Sequence, residues 1–420
     1  MTQKKLLTLV AAGLLVAMTA CEKEKFDKQR YNEYVDYEFM IDNMDMSHQW
    51  QLTHSDTLTV KTPDAVHKVQ ILTDNPINTT NVEVAAEAVC YGNEAVLTYT
   101  IPNTQSTVYL SAIATNGNFL GIRKLTYGTK ELDLTDIQQT EGSNINITTP
   151  QTFTYLYEEN FPEPGDFDYN DLVLRVGKGY TESSYDLLLT VTVAAAGAVK
   201  QIAAGINLGG VSYDEVSKVE IVGGDIMDKD YPLPRRIMGS SDLLLRGRNG
   251  EAVVNLFEDA HWVLLSGSDT NGSITRMLLN TVRGETEFRS ASVSPVSRTY
   301  RITFRHRETA RLLSFDQIDP FILEEYNGSV WEVHTYPYKF NDVLKDIFRG
   351  NQSAYDNHVS WCIVVPQKDF RYPIEGMSLG TYNKENGEVF GPYPDFANWM
   401  KNHFSYNNWY TNATHPQLLY

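Results

Sequence analysis

Short alternations of apolar and polar residues, separated by Gly, Asn, Pro and Asp, run through much of the chain after residue 45. The first of them lie at residues 58–61, 82–84, 95–99 and 107–110. Because successive side chains of a strand point to opposite faces, this period of two indicates β-strands with one buried face. Turn-forming clusters separate the runs, and strands at this spacing are typical of a β-sandwich. The pattern therefore predicts a β-sandwich-like domain over residues 46–145.

The segment 141–146 is polar and Gly-containing, and it predicts a boundary with a larger β-rich domain over residues 146–420. Beyond it, Leu172–Val176 and Tyr185–Ala194 predict a β-hairpin. Further strands are predicted at residues 253–256, 262–265 and 298–304. In the last of these, apolar and polar positions alternate along the whole run, so one face is expected to be buried.

Two short helices are predicted near the C-terminal end. One covers Asn341–Phe348, where apolar residues fall on one side. The other covers Tyr393–Phe404, which begins with residues suited to a first helical turn and places Phe396, Trp399 and Met400 on one face. The sequence therefore predicts a mainly β protein with a few short C-terminal helices.

Residues 1–20 have the pattern of a secretory signal peptide. Lys4 and Lys5 precede the uncharged apolar run Leu6–Ala20, which is shorter than the about 20 apolar residues of a membrane-spanning helix. The run ends at Met-Thr-Ala-Cys21, which resembles a bacterial lipobox, although Leu is commoner at the Met position. We expect Cys21 to be the lipidated mature N-terminus. The alternative is an ordinary signal peptide that happens to precede a Cys.

The next segment, residues 21–45, is rich in charged residues and almost free of aliphatic ones, which predicts a flexible tether. Charged residues directly after a lipidated Cys resemble the surface-export signals of some Gram-negative lipoproteins, so the expected location is the outer membrane, exposed at the cell surface. Removal of residues 1–20 takes away Lys4 and Lys5 and no acidic residue, which changes the formal net charge from −18 to −20. This charge excludes nucleic acid and anionic lipid as electrostatic partners. Membrane attachment is therefore expected through the N-terminal lipid.

A group of oxygen-bearing side chains follows the predicted domain boundary. Asp166, Asp168, Asn170 and Asp171 place four such side chains within six residues. Calcium binds six to eight oxygen ligands, and the spacing D-x-D-x-N is typical of the start of a calcium loop. The sequence therefore predicts calcium as a cofactor.

The remaining calcium ligands must come from elsewhere, because the segment is not an EF-hand. An EF-hand needs Gly at its sixth and Glu at its twelfth position, where this chain has Asp171 and Gly177. Glu158 and Glu159 lie close upstream and are candidate ligands, and Glu163 is near. The alternative is a network of Asx turns without a metal.

Several motifs in this half of the chain occur together and in a fixed order. They are Gly165–Val173 (GDFDYNDLV), Asp319–Ile322 (DPFI), Glu332–His334 (EVH), Phe370–Glu375 (FRYPIE), Tyr393–Trp399 (YPDFANW) and Trp409-Tyr410. This order resembles the LruC-domain family of bacterial envelope lipoproteins over about residues 150–412. The resemblance implies a lipoprotein domain of unknown function without an established enzyme activity, and its acidic motif is suggestive of calcium. The chain departs from the family pattern at Glu159, where Asp is usual, and at Phe161, where Trp is usual.

Patterns for other chemistry are weak. No CxxC or Cys/His cluster occurs, so a structural zinc site is not expected, and Cys90 and Cys362 are predicted to be buried free thiols, with a disulfide as the alternative. Gly376–Gly380 matches the hydrolase motif G-x-S-x-G around Ser378, but its flanks do not predict the strand–turn–helix that this motif requires.

The function predicted from these features is a non-enzymatic surface lipoprotein that acts as an interaction or adhesion module, with calcium making its second domain rigid. The partner expected is a protein or a glycan. A glycan-binding or carbohydrate-active outer-membrane lipoprotein is the alternative, and no sequence feature selects between them.

Overall fold

The computed structural model describes residues 45, 47–77, 79–137, 149–159, 161, 166–224, 231, 237–267, 276–284, 289–326, 329–338, 343–345, 360–382 and 389–420. The predicted signal peptide and almost all of the predicted tether lie outside these residues. None of the helices within them is both long and apolar enough to cross a bilayer.

Seven strands form the N-terminal part. They are β1 (Thr53–Lys61), β2 (Val66–Leu72), β3 (Glu83–Val89), β4 (Glu94–Pro102), β5 (Thr107–Ala114), β6 (Phe119–Thr126) and β7 (Glu131–Asp133). One sheet has the order β4-β1-β7, and β3-β2-β5-β6 lie side by side in a second sheet. Leu58 and Leu97 of the first sheet share a buried cluster with Val69 and Leu110 of the second. The alternating pattern is thus explained by two sheets that bury one face each, and the predicted sandwich is confirmed.

The rest of the chain forms further strands. They are β8 (Thr149–Tyr157), β9 (Leu172–Tyr180), β10 (Asp186–Ala195), β11 (Ile202–Ser212), β12 (Val216–Gly224), β13 (Leu244–Arg246), β14 (Glu251–Phe257), β15 (Leu278–Leu279), β16 (Ser290–Ala291), β17 (Val296–Phe304), β18 (Ile318–Tyr326), β19 (Ser329–Val333), β20 (Cys362–Val365), β21 (Thr381–Tyr382) and β22 (Val389–Phe390). Strands β12-β17-β10-β9-β8 follow one another, with β20 also paired to β8, and β13-β14-β11-β18-β19 form a facing sheet. Leu189 and Ile302 of the former and Ile206 and Ile322 of the latter belong to one core. β9 and β10 pair antiparallel, as the predicted hairpin requires.

The two sandwiches are joined through one sheet. β3 and β8 are parallel neighbours, paired at Glu83 with Thr149 and at Val84 with Pro150. Strands from both halves therefore lie in a single ten-stranded sheet. The boundary predicted at residues 141–146 lies outside the part of the chain that the structure describes.

Helices are few and short. They are α1 (Ala260–Leu264), α2 (Arg307–Leu312) and α3 (Asp395–Lys401), with 3₁₀ turns at Tyr213–Glu215, Phe315–Gln317, Tyr336–Tyr338, Trp409–Thr411 and Pro416–Leu418. α3 confirms the prediction for the C-terminal helix, and its Phe396, Trp399 and Met400 are buried. Of the helix predicted over residues 341–348, only 343–345 are described.

The strand predicted at residues 262–265 is wrong, because the first three of these residues belong to α1 and Leu265 is its C-cap. Asp259 caps the helix, since its side chain accepts a hydrogen bond from the backbone N–H of His261 at 2.9 Å. A short apolar run is compatible with a buried helix as well as with a strand, and the cap decides in favour of the helix.

The first described residues pack against the C-terminal helix. The backbone N–H of Asp45 donates to the carbonyl of Met400 at 3.0 Å, and the ring of Trp50 contacts that of Trp399 edge to face at 5.5 Å. At the far end, Leu419 forms a β-bridge with Pro373. Cys90 and Cys362 are both free thiols.

Candidate metal centre

The acidic loop, defined here as residues 166–171, connects to the start of β9 at the end where β8 finishes. The two strands are antiparallel, with Tyr157 paired to Leu172. Glu158 follows the last residue of β8, and Asp171 precedes the first residue of β9, so the register places both at one edge of the sheet. The backbone N–H of Glu159 donates to Asp171 Oδ2 at 2.8 Å.

The backbone of the acidic loop is curled. Phe167 and Tyr169 have φ angles of 61° and 54°, in the left-handed region that costs a residue other than Gly about 1–3 kcal/mol. Both rings are buried, and the Tyr169 hydroxyl donates to the carbonyl of Ser360 at 2.8 Å. Because both rings are fixed in the core, they hold in place the oxygen-bearing side chains that alternate with them along the loop.

Three of the predicted ligands come together. One carboxylate oxygen from each of Glu158, Asp166 and Asp168 lies within 4.8 Å of the other two. Glu158 and Asp168 are buried, whereas Asp166 is exposed. Glu158 Oε1 accepts the backbone N–H of Tyr169 at 2.7 Å, while its Oε2 is buried and has no hydrogen-bond partner among the described residues.

The other three predicted ligands lie around this group. Asn170 donates through Nδ2 to the carbonyl of Pro373 at 3.2 Å, and Asp171 accepts the Glu159 N–H already mentioned. Glu159 Oε2 pairs with Lys200 Nζ at 2.8 Å. The structure therefore places Asn170, Asp171 and Glu159 beside the three-carboxylate group, in contact with other partners. Glu163 lies outside the described residues.

Residues 375–379, which are distant in sequence, also contact or face the acidic loop, and the sequence did not predict this. The backbone N–H of Gly376 donates to Asp168 Oδ2 at 2.7 Å, and that of Leu379 donates to the Phe167 carbonyl at 3.2 Å. The Glu375 carboxylate, which accepts the Thr281 hydroxyl at 3.2 Å, interacts electrostatically with Asp166. Because 208 positions separate Gly376 from Asp168, no local pattern could reveal this contact.

The electrostatics of the acidic group favour a cation. Burial, and then the charges of Asp171, Asp166 and Asp168, raise the pKa of Glu158 well above its usual range. Burial and the neighbouring carboxylates do the same to the pKa of Asp168. Burial, followed by Asp166, raises the pKa of Glu375 to about 7. A desolvated group of carboxylates is costly when charged unless protons or a cation compensate it.

The G-x-S-x-G segment has a different setting from that of a hydrolase nucleophile. Ser378 lies in a loop, and its Oγ is buried without a hydrogen-bond partner among the described residues. His403, which follows in hydrolase order, forms an ion pair with Asp45. The glycine at the start of this motif bonds to the acidic loop instead.

A protein family of known extent matches the second half of this chain. The family described as "Domain of unknown function (DUF4842)" matches residues 185–410, which is more than half of the chain. The chain belongs to the DUF4842 family. The DUF4842 match begins after the acidic loop, so it does not include Glu158 or Asp166–Asp171. The narrower resemblance to the LruC-domain family stays a prediction.

Comparison of this DUF4842 protein with solved structures gives two matches of very different quality. A crystal structure of a candidate lipoprotein from Bacteroides ovatus has a TM-score of 0.50 and 14% identity, with 85% of this chain and 99% of that chain covered. The full-length major pilin SpaD from Corynebacterium diphtheriae has a TM-score of 0.17 and 10% identity over 67% of this chain and 63% of that chain, which is too low to support a shared fold. No curated protein sequence matches. The first likeness shows a common fold and no more.

Proposed function

We propose that this protein is a lipid-anchored lipoprotein of the outer membrane, exposed at the cell surface, that acts as a non-catalytic interaction or adhesion module with calcium bound at its acidic loop. Cys21 carries the lipid, and Glu158, Asp166 and Asp168 are the central calcium ligands. The lipobox-like sequence before Cys21 supports the anchor. The fold shared with a candidate lipoprotein from Bacteroides ovatus is consistent with it.

One observation carries the metal site, namely the second carboxylate oxygen of Glu158. Glu158 is 1% exposed, and its Oε2 has no hydrogen-bond partner among the described residues. Buried polar atoms are nearly always satisfied, and an unsatisfied charged oxygen is especially costly. The Glu158 carboxylate belongs to the same group as Asp166 and Asp168, so a cation bound by this group would compensate its unpartnered oxygen.

The donor atoms fit calcium better than other metals. All three side chains offer carboxylate oxygens, the ligands that hard cations prefer, whereas zinc favours His and Cys. Calcium accepts an irregular set of six to eight oxygens, and water can supply those that the chain does not. When bound, the cation neutralises the buried carboxylates and links the end of β8 to the acidic loop.

Calcium binding is tested by thermal unfolding of the full chain. Binding to the native state alone stabilises it by RT ln(1 + [L]/Kd), about 2.7 kcal/mol at a hundredfold excess over Kd. We expect millimolar calcium to raise the Tm and chelator to lower it, because extracellular calcium modules often have a Kd of about 10⁻⁴–10⁻³ M. Glu158→Gln and Asp168→Asn should abolish this response, while Glu325→Gln, at an exposed site of β18, should preserve it. Equal melting in calcium and chelator would refute the site.

The lipid anchor and the binding role need separate experiments. Mass spectrometry should find an acylated Cys21 as the first residue, and Cys21→Ala should move the protein to the soluble fraction. Protease treatment of intact cells should digest the protein if it is exposed at the surface. A glycan array and a screen of surface proteins, both probed with the full chain, then identify the ligand class. Turnover of a bound glycan would instead establish the carbohydrate-active alternative.

A further inference from the structure

A loop directly after α3 presents two aromatic side chains to solvent. This aromatic loop, residues 402–408, contains Phe404, which is 81% exposed, and Tyr406, which is 46% exposed. Tyr406 has a φ of 58°, a left-handed conformation that is uncommon for an aromatic residue. Phe404 is the most exposed large apolar side chain among the described residues. Exposure of this kind has an energetic cost in water, and contact with a less polar surface would relieve it.

The aromatic loop lies in a part of the sequence without acidic residues. The chain has 53 Asp and Glu in 420 residues, yet residues 396–420 contain none. The side chains exposed in this stretch besides the two rings are neutral, and include Asn402, Asn408 and Thr411. The loop itself therefore carries no acidic residue, and the neighbouring Asp45 is paired with the His403 ring. These residues do not repel a zwitterionic lipid surface.

The aromatic loop also adjoins the point where the predicted tether reaches the fold. Asp45 Oδ2 accepts the backbone N–H of His403 at 3.3 Å, and Asp45 pairs with the His403 ring as well. Residues 22–44, which are 23 in number, separate Asp45 from Cys21. A chain of 23 residues reaches at most about 80 Å when fully extended, at ~3.3–3.6 Å per residue, so Asp45 lies within that distance of the lipid.

We propose that the aromatic loop rests on the lipid surface to which Cys21 is anchored, with Phe404 and Tyr406 inserted among the lipid headgroups. This inference rests on the proposed lipid anchor. The tether joins the fold at Asp45, so the side of the fold that contains Asp45 is held near the bilayer. The aromatic loop is on the same side. Aromatic side chains are enriched at membrane–water interfaces, because their rings are apolar while the neighbouring groups stay hydrated. The loop thereby fixes the orientation of the two sandwiches relative to the membrane.

The test uses the lipidated full chain on vesicles of phosphatidylethanolamine and phosphatidylcholine, which carry no net charge. A nitrobenzoxadiazole fluorophore is attached at Ser405→Cys in a Cys90→Ser background. Of the two remaining cysteines, Cys21 is blocked by its lipid, and Cys362 is 1% exposed and therefore unreactive. Dithionite reduces the fluorophore in water but not within the bilayer. The matched protein carries Phe404→Ser and Tyr406→Asn as well, and a third has the label at Ile77→Cys, a 58% exposed site in the turn between β2 and β3.

Flotation with the vesicles is measured first and establishes the anchor. We expect reduction at position 405 to be several-fold slower than at position 77, and to become as fast as at position 77 when both aromatic residues are replaced. If the protein floats but position 405 is reduced as fast as position 77, the loop does not insert and the inference is wrong, while the anchor stands. If slow reduction persists without the aromatic residues, the label itself causes insertion and the inference is also wrong. Failure to float would refute the anchor, and the inference with it.

Discussion

Gly197 lies directly against Asn170. A Cβ atom added to Gly197 would be 2.2 Å from Asn170 Oδ1 and 2.7 Å from the Asn170 carbonyl oxygen. The backbone N–H of Gly197 also donates to the Asn170 and Asp171 carbonyls at 3.1 and 3.0 Å. The C-terminal end of the acidic loop is therefore positioned by a backbone contact that only glycine permits.

Gly197→Ala should displace the acidic loop, because neither Asn170 nor its backbone can move without breaking these bonds. We expect the free energy of unfolding to fall by about 1–3 kcal/mol, the usual effect of overpacking, and the calcium-induced rise in Tm to shrink. Urea unfolding measures the first effect and calcium titration the second. Gly223→Ala is the control, since its Cβ would meet Thr299 only at an ordinary 3.9 Å. Equal stabilities of the two variants would contradict the prediction.

A buried histidine lies between two acidic side chains at the β18–β19 pair. His334 Nδ1 is 2.7 Å from Asp319 Oδ2, and His334 Nε2 is 3.0 Å from Glu332 Oε2. Burial by itself lowers the pKa of His334, but the two carboxylates outweigh burial and raise the pKa to about 9. Glu332 in turn accepts the backbone N–H groups of residues 343–345 at 2.7 Å.

This histidine should make stability depend on pH. The pKa is higher in the folded than in the unfolded state, so its contribution is complete below pH 6.5 and is lost as the pH rises through 9. Since one pKa unit corresponds to about 1.4 kcal/mol, the contribution is about 3 kcal/mol. The stability difference between the wild-type protein and His334→Gln should therefore be larger at pH 6 than at pH 10. A pH-independent difference would show that His334 is not charged.

Replacement of a buried lysine should stabilise the protein. Lys178 in β9 is 1% exposed, and its Nζ donates to the carbonyl of Leu313. Burial lowers the pKa of Lys178 to about 7, only partly opposed by Asp316. Protonation then favours the unfolded state, and this penalty is nearly complete at pH 7 and disappears as the pH rises towards 10.5.

Lys178→Met keeps the apolar length of the side chain without its charge. We expect it to raise the free energy of unfolding by about 2–4 kcal/mol at pH 7, after allowance for the lost bond to Leu313, and to have a smaller effect at pH 10. Urea unfolding at both pH values measures this. Because the pH effects of Lys178 and His334 have opposite signs, the His334 comparison is cleanest in the Lys178→Met background. Destabilisation at pH 7 would mean that Lys178 has a stabilising role.

Glu375 should act on the metal centre through its charge. Glu375→Gln removes one of the negative charges that act on Asp166 and Asp168. We expect the protein in chelator to become more stable by on the order of 1 kcal/mol, and the calcium-induced rise in Tm to decrease. Calorimetric unfolding with and without calcium measures both effects. Glu131→Gln, at an exposed site of β7, should leave both unchanged.

Ser378→Ala should have no effect on any ester or peptide hydrolysis. The Ser378 Oγ is buried, and the histidine expected of a triad pairs with Asp45. Substrate panels assayed with wild-type and Ser378→Ala proteins of equal Tm provide the measurement. Turnover that disappears with Ser378→Ala would overturn the non-enzymatic assignment.

Sequence patterns predicted those features that depend on near neighbours. The alternation in β17 gave the correct buried residues, Tyr300, Ile302 and Phe304, because a strand in any sheet has a period of two. The segment Trp262–Leu265 was assigned wrongly because four apolar residues fit a buried helix or strand equally, although the capping residue Asp259 was visible in the sequence.

The same difference between contacts near in sequence and contacts distant in sequence applies to the candidate metal centre. Glu158 and the acidic loop are close in sequence, and the structure brings Glu158 to Asp166 and Asp168. The contact of Gly376 with Asp168 depends on how the whole second sandwich closes, and no short-range pattern contains that information. The orientation of Asn170 towards Pro373 depends on the same closure.

The packing of Asp45 and Trp50 on α3, together with the bridge between Leu419 and Pro373, sets an order for folding. A ribosome delivers the chain with the N-terminus first, so the partners of Asp45 and Trp50 are synthesised long after these residues. Trp409, which is 0% exposed within the core, cannot be in place before residue 409 has been synthesised. The second sandwich is therefore expected to complete its folding only after residue 409 has been delivered, and a chain stopped short of residue 409 should remain sensitive to protease.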